Sequence, residues 1–227
     1  MRKLQLHRNI NGVLVCLILL MTLGVCVGTY AFYTASTDVQ NRIKAGDSEV
    51  YLQELFSPDD LWLAGETKTK EVVFGNQGES DQVIRFKVTV EWYDNNGTPN
   101  NLSDDIPWAY VGTYSPEPVV INFTSEITGL SATWTKIGDY YYYNNVLAGQ
   151  SGSSPTETLP VIDSVTFSNA ISNAEYEFGD DFSNKAVKIT VEMQALRVDK
   201  SIIEDAWTGV VFTPGAGGAI TWTPKGP

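Results

Sequence analysis

Histidine and cysteine are almost missing from this chain of 227 residues. His7 is the single histidine and Cys16 and Cys26 are the two cysteines, so everything after Cys26 lacks thiol and imidazole. A disulfide, a thiol nucleophile and a Ser-His-Asp or Cys-His triad are therefore excluded from that part. Zinc held by imidazole, including the HExxH arrangement, is excluded with them. Basic residues are few: 15 Lys and Arg stand against 27 Asp and Glu, for a net charge of −12. That balance argues against nucleic-acid phosphate or anionic lipid as a partner, since both require a basic surface. There is no heptad pattern and no internal repeat, and only one long apolar run.

That run covers residues 13–27, preceded by Arg2, Lys3 and Arg8 and followed by Gly28-Thr29-Tyr30-Ala31-Phe32. A basic start, a short apolar stretch and a small residue at the exit describe a secretory signal peptide. The run is shorter than the ~20 residues that span a bilayer core. An uncleaved N-terminal anchor is the competing reading.

The exit sequence Gly28-Thr29-x-Ala31, the aromatic Phe32, then Asn41 and Ala45-Gly46, resembles proteins exported by the alternate, SipW-type signal peptidase. That family includes TasA-like biofilm matrix proteins, camelysins and BsaA-type matrix proteins of Gram-positive bacteria. Weaker similarity continues through Ala64-Gly65-Glu66, 74–78, 84–92, 187–198 and Ala206-Trp207, closest to the BsaA type; residues 98–181 show none. The resemblance implies cleavage between Ala31 and Phe32. Arg2, Lys3 and Arg8 then leave, basic residues fall from 15 to 12, all 27 acidic residues stay, and the net charge moves from −12 to −15. The remaining residues are numerous enough to build a core without disulfides.

The mature chain reads as all-β. Segments 49–55, 67–74, 83–93, 131–136, 139–146, 161–168 and 185–198 carry β-branched and aromatic residues in alternation. Ile84, Phe86, Val88, Val90 and Trp92 share one face, and Arg85, Lys87, Thr89 and Glu91 the other. One dry and one wet face per strand predicts a single jelly-roll-like antiparallel β-sandwich. The expected organisation is a signal peptide at 1–31, an N-terminal donor segment at 32–46, the sandwich at 47–213 and a flexible tail at 214–227. Gly75-Asn76-Gln77-Gly78 reads as a hairpin turn and Asn96-Gly97 as another. The stretches 98–118 and 149–160 read as long loops within a central insertion. The one helix expected covers 200–206.

Several motifs have ordinary readings. The pairs Asp59-Asp60, Asp104-Asp105 and Asp180-Asp181 read as solvated turns. Asp94-Asn95-Asn96-Gly97 lacks the ligand spacing of a calcium loop. Four tyrosines in succession, Tyr140 to Tyr143, read as strand composition, with a sugar-stacking face as the sharper alternative. No catalytic, cofactor-binding or metal-ligating residue is expected.

The segment 32–44 differs in organisation. Tyr33, Ala35, Thr37, Val39, Asn41 and Ile43 alternate with more polar neighbours, and cleavage frees the segment's N-terminus. An extended peptide with one apolar face can add to a sheet edge of another molecule. The resemblance points the same way, since TasA-like proteins build filaments by passing this segment onward. Folding back as an ordinary first strand is the alternative. Surface fibres of Gram-positive bacteria also use Lys–Asn isopeptide bonds, a joint that suits a cysteine-free chain. Asn41 lies on the apolar face of the donor segment, and Lys68 and Lys70 share a face with Val72 and Phe74. The plainer reading leaves both lysines on a solvated strand end and Asn41 capping a turn.

The expectation is thus a secreted, non-enzymatic subunit of an extracellular matrix or cell-surface fibre, a head-to-tail homopolymer. Its partners are further copies of itself and a SipW-type signal peptidase, with a sibling matrix protein left open and no nucleic acid. A camelysin-like surface peptidase and a monomeric carbohydrate- or surface-binding module are the rivals; the missing histidines weigh against the first. N-terminal sequencing of secreted protein is expected to read Phe32 first, and a start within 24–28 would overturn the assignment.

Overall fold

The computed structural model describes residues 33–36, 49–55, 61–94, 104–150, 155–183 and 185–226. The first strands are β1 (Tyr33–Ser36), β2 (Val50–Leu55), β3 (Leu61–Trp62), β4 (Thr67–Asn76) and β5 (Gln82–Asp94). Next come β6 (Ile106–Trp108), β7 (Val119–Phe123), helix α1 (Ser125–Thr128), β8 (Trp134–Ile137) and β9 (Tyr140–Tyr143). Then follow β10 (Thr156–Glu157), β11 (Ile162–Phe167), helix α2 (Ala174–Phe178) and β12 (Lys185–Arg197). The chain closes with helix α3 (Lys200–Ala206), β13 (Val210–Pro214) and β14 (Ile220–Pro224).

Two sheets face one another, as the alternation predicts. One runs β3-β1-β12-β5-β9-β8, with β6 also on β5; the other runs β10-β4-β11-β7, with β2 on β4. Because β2 and β10 both pair with Asn76, and β2 and β11 both with Val72, β2 forms the opposite edge of β4. The core-facing residues Ile84 and Phe86 of β5 and Val191 and Met193 of β12 meet Val72 and Phe74 of β4. Phe74, Phe86 and Trp134 pack with centroids 5.0 to 5.5 Å apart, and Tyr141 stacks on Phe86 at 5.0 Å. A second cluster joins Trp92, Val187 and Ile189 to Val165 and Phe167.

The outer face of the larger sheet is also covered. Val83, Tyr142 and Leu196, which alternation turns away from the sandwich, pack with Ile203 and Trp207 around α3 and with Phe212, Ile220 and Trp222. The stretch expected to be a flexible tail is therefore a structured hairpin of β13 and β14. Its glycines are the loop: Gly217 and Gly218 take φ of 67° and 85°, a region open chiefly to glycine. Composition suggested mobility, but Trp222 anchors the segment and donates its indole N–H to the Tyr143 carbonyl at 2.7 Å.

Other expectations are corrected. β4 continues through Gly75 and Asn76, and β5 belongs to the other sheet, so 75–78 is no hairpin turn. Gly75 is required because the Tyr51 ring crosses it; a Cβ there would lie 2.2 Å from that ring. Asn76 is buried and holds the crossover, donating to the carbonyls of Ser80, Leu147 and Ala148 and accepting from the N–H of Gly78. The central region is not an insertion, since β7 and β11 build one sheet and β8 and β9 the other. The loops expected at 98–118 and 149–160 contain the short strands β6 and β10, and α1 and α2 join α3 as helices. Asn96-Gly97 lies outside the described residues. Replacing Trp222 with Ala is expected to destabilise the protein by about 3 to 5 kcal/mol, measured by chemical denaturation.

Candidate functional site

β4 alternates so that Lys68, Lys70, Val72 and Phe74 share the face turned to the opposite sheet. Lys68 pairs with Val165 across to β11, near the cluster around Phe167, while Val72 belongs to the cluster around Phe74. Lys70 sits between these two apolar groups and is 0 % exposed. Burial alone lowers its amine from the usual lysine range to about 7, because an apolar setting disfavours the ammonium form. Near neutral pH a large share of this amine therefore carries a lone pair.

The group against it comes from the edge strand. Glu54 on β2 stands opposite Val72, two residues along β4 from Lys70, and its Oε1 contacts Lys70 Nζ. Its side chain is only 7 % exposed. An amine and a carboxyl group are thus held together inside the sandwich, at the edge where β2 ends the smaller sheet. Lys68 differs. It is half-buried, with Nζ 3.9 Å from Glu66 Oε1. The expectation that both lysines occupy a solvated strand end fails for Lys70, since core-facing parity carries it inward.

Glu54 was not singled out from the sequence, although a signal was there. In Val50-Tyr51-Leu52-Gln53-Glu54, Glu54 shares parity with Val50 and Leu52, both of which pack in the core. A carboxylate and a lysine at core parity on neighbouring strands is the pattern to seek. Of the donor residues, Tyr33 and Ala35 lie in β1; Thr37, Val39, Asn41 and Ile43, with the junction Ala31 and Phe32, lie outside the described residues.

β1 is paired on both of its edges. It runs parallel to β12, with Thr34, Ala35 and Ser36 opposite Ala186, Val187 and Lys188. On its other side Tyr33 and Thr34 pair antiparallel with Trp62 and Leu61 of β3. The described part of the donor segment thus occupies a slot in its own sheet.

The remaining motifs take structural roles. Tyr141 and Tyr143 face the core, Tyr143 lying 4.9 Å from Trp134. Tyr140 and Tyr142 sit under the C-terminal module, the Arg85 guanidinium 3.9 Å above Tyr140 and 4.6 Å from Trp207. Tyr141 and Tyr142 are buried, and the Arg85 guanidinium covers one face of Tyr140. Asp180, expected in a solvated turn, is buried and accepts from the N–H of Val111 and Gly112 and from the Tyr114 hydroxyl. Burial pushes its carboxyl up, but those three donors outweigh it and hold it below the usual range. Among the described residues no group of three or more His, Cys, Asp or Glu is placed to hold a metal ion.

No protein-family model, curated protein or solved structure matches this chain.

In the unassembled protein, Glu54→Ala is expected to cost about 1 to 3 kcal/mol by leaving the buried Lys70 amine without its polar partner. The double change Glu54→Leu with Lys70→Met fills the same space without charge and is expected to be neutral or stabilising. Urea denaturation of the three proteins checks both.

Proposed function

We propose that this chain is an exported structural subunit that polymerises by passing its N-terminal strand into the sheet of the next copy. The observation that carries the reading is the slot between β12 and β3, filled by a short segment near the chain's start and paired along both edges. A second copy's segment entering the same slot makes the same backbone bonds, so exchange conserves the ladder while joining two molecules. Cleavage between Ala31 and Phe32 supplies the free end.

The register supports the donor face expected from alternation. Ala35 is opposite Val187, a buried core residue of β12. Opposed residues of a parallel pair point to the same side, so Thr37, Val39, Asn41 and Ile43 of a donated strand continuing one-for-one share that side. Such a strand would bring Asn41 opposite Met193, which packs in the cluster containing Val72 and Phe74. Lys70 and Glu54 face the same interior.

This geometry suits an isopeptide joint. The neutral Lys70 amine attacks Cγ of the incoming Asn41, and Glu54 in its acid form donates a proton to the carboxamide. Glu54 then takes the proton released from Nζ. The new bond joins Nζ to Cγ, the old Cγ–Nδ2 bond breaks, ammonia leaves, and Glu54 ends in the form in which it began. The amine reacts only when neutral, so linking falls as pH drops below about 7.

Deleting residues 32–44 from the mature chain is expected to give a folded monomer by light scattering and electron microscopy. Filaments formed as readily without the segment would overturn strand exchange. Fibres of the intact mature chain should survive boiling in denaturant as a ladder of multimers, each lighter by one ammonia per bond. Lys70→Met and Asn41→Ala should still assemble but dissolve to monomer. If intact fibres also dissolve to unmodified monomer, strand exchange is the sole joint.

A further inference from the structure

On the far side of β5 from β12, the sandwich is open. β9 pairs with β5 only at Arg85 and Phe86, and β6 pairs only from Trp92 onward. Between them, residues 87–91 of β5 have no strand on that side among the described residues. Val90 has the parity of the fully buried Ile84 and Phe86, yet it is 37 % exposed. Across the opening stands β7, the last strand of the smaller sheet. The result is a cleft of about 460 Å³, lined by Val90, Glu91, Trp108, Tyr110, Glu117 and Val119, with Trp92 at its base.

Its walls have a definite chemistry. Trp108 and Tyr110 are half-buried rings 6.4 Å apart and tilted by 54°, an angled aromatic surface. Trp92 meets Trp108 edge-on at 6.0 Å. Facing the cleft is one exposed carboxylate, Glu117, which accepts from the Tyr110 hydroxyl at 2.7 Å, while the Glu91 carboxylate turns to the outer face of β5 beside Tyr93. The walls are also fixed. The segment after Tyr110 is clamped by Asp180 through the N–H groups of Val111 and Gly112 and the Tyr114 hydroxyl. Phe182 packs against both Trp108 and Tyr110, and Lys185 reaches Asp94 at 2.8 Å while lying 5.3 Å from the Trp108 ring. The aromatic surface is therefore organised before any ligand arrives, which lowers the ordering cost of binding.

We infer that this cleft binds a neutral polysaccharide segment. A pyranose ring offers an apolar C–H face for Trp108 and Tyr110 and hydroxyl donors for Glu117. An acidic glycan would meet the Glu117 carboxylate on a chain of net charge −12. The size suits more than one sugar unit: ligand clefts run from roughly 300 to 1,000 Å³, whereas an aromatic cage for an ammonium head closes around a much smaller volume. The site does not rest on the polymerisation reading. It lies beyond β5, while β1 lies beyond β12, so a subunit joined through β1 keeps the cleft open.

The test uses the full mature chain kept as monomer, titrated with neutral glucan, galactan and chitin-derived oligosaccharides by calorimetry and tryptophan fluorescence. At least one is expected to bind with a change in indole emission, while an oligogalacturonate is not. Trp108→Ala should weaken binding by about tenfold or more. Because Trp108 also packs against Phe182, the exposed Glu117→Gln serves as the variant that keeps the fold, and it should weaken binding severalfold. Failure of every neutral oligosaccharide would overturn the inference. So would binding unaffected by both changes, or tighter binding of a tetraalkylammonium salt or an acidic oligosaccharide.

Discussion

Thirteen consecutive residue pairs between β5 and β12, from Lys185 opposite Asp94 to Arg197 opposite Gln82, are the constraint on which the molecule is built. Two strands of this length in unbroken register fix the parity of every side chain along them. Even-numbered β5 residues and odd-numbered β12 residues supply the sandwich interior, in both of its clusters. The opposite parity supplies Val83 and Leu196 to the outer cluster that binds the C-terminal module. A slip of one residue would exchange these sets, placing Arg85, Lys87 and Glu192 in the interior. Arg85 shows how fully the outer face is used: Gln194 accepts from Nε and Nη2, Tyr142 from Nη1, and the guanidinium lies over Tyr140. Every other strand of the larger sheet joins this pair or a neighbour of it.

Long alternating strands were legible in the sequence because they need no context. Segments 83–93 and 185–198 announce their period directly and became β5 and β12 within a residue at each end. The short elements were hidden for a physical reason. β10 has two residues and β6 three, too few to show a period, and both are fixed by pairing with strands distant in sequence. The glycines misled in two places. Gly75 serves the crossing of Tyr51 over β4, and Gly215 to Gly218 form the loop of a packed hairpin. Asp180 misled similarly, since two adjacent aspartates resemble a wet turn until the N–H groups that hold one of them are known. At the candidate site Lys70 was visible by parity, but its depth and the approach of Glu54 depend on β2 lying along β4.

The proposed joint and the proposed saccharide cleft draw on opposite margins of one sandwich. At one margin β2 ends the smaller sheet, and Lys70 and Glu54 are buried between β4 and β2. At the other, β9 and β6 leave part of β5 uncovered and the interior opens to water beside Val90. The first margin favours burial, which brings an amine near neutrality. The second favours access, which keeps aromatic faces and the Glu117 carboxylate available.

Because β1 fills the slot beside β12 in its own chain, each free subunit carries its own competitor for an incoming strand. A tethered segment acts at an effective concentration on the order of millimolar. Under the exchange reading, dilute subunits would therefore remain closed, and spontaneous pairing would be slow. A growing end, whose slot has already lost its resident strand, would have no such rival. Elongation would outrun initiation, giving few long chains rather than many short ones and placing the onset of growth under the control of seeds.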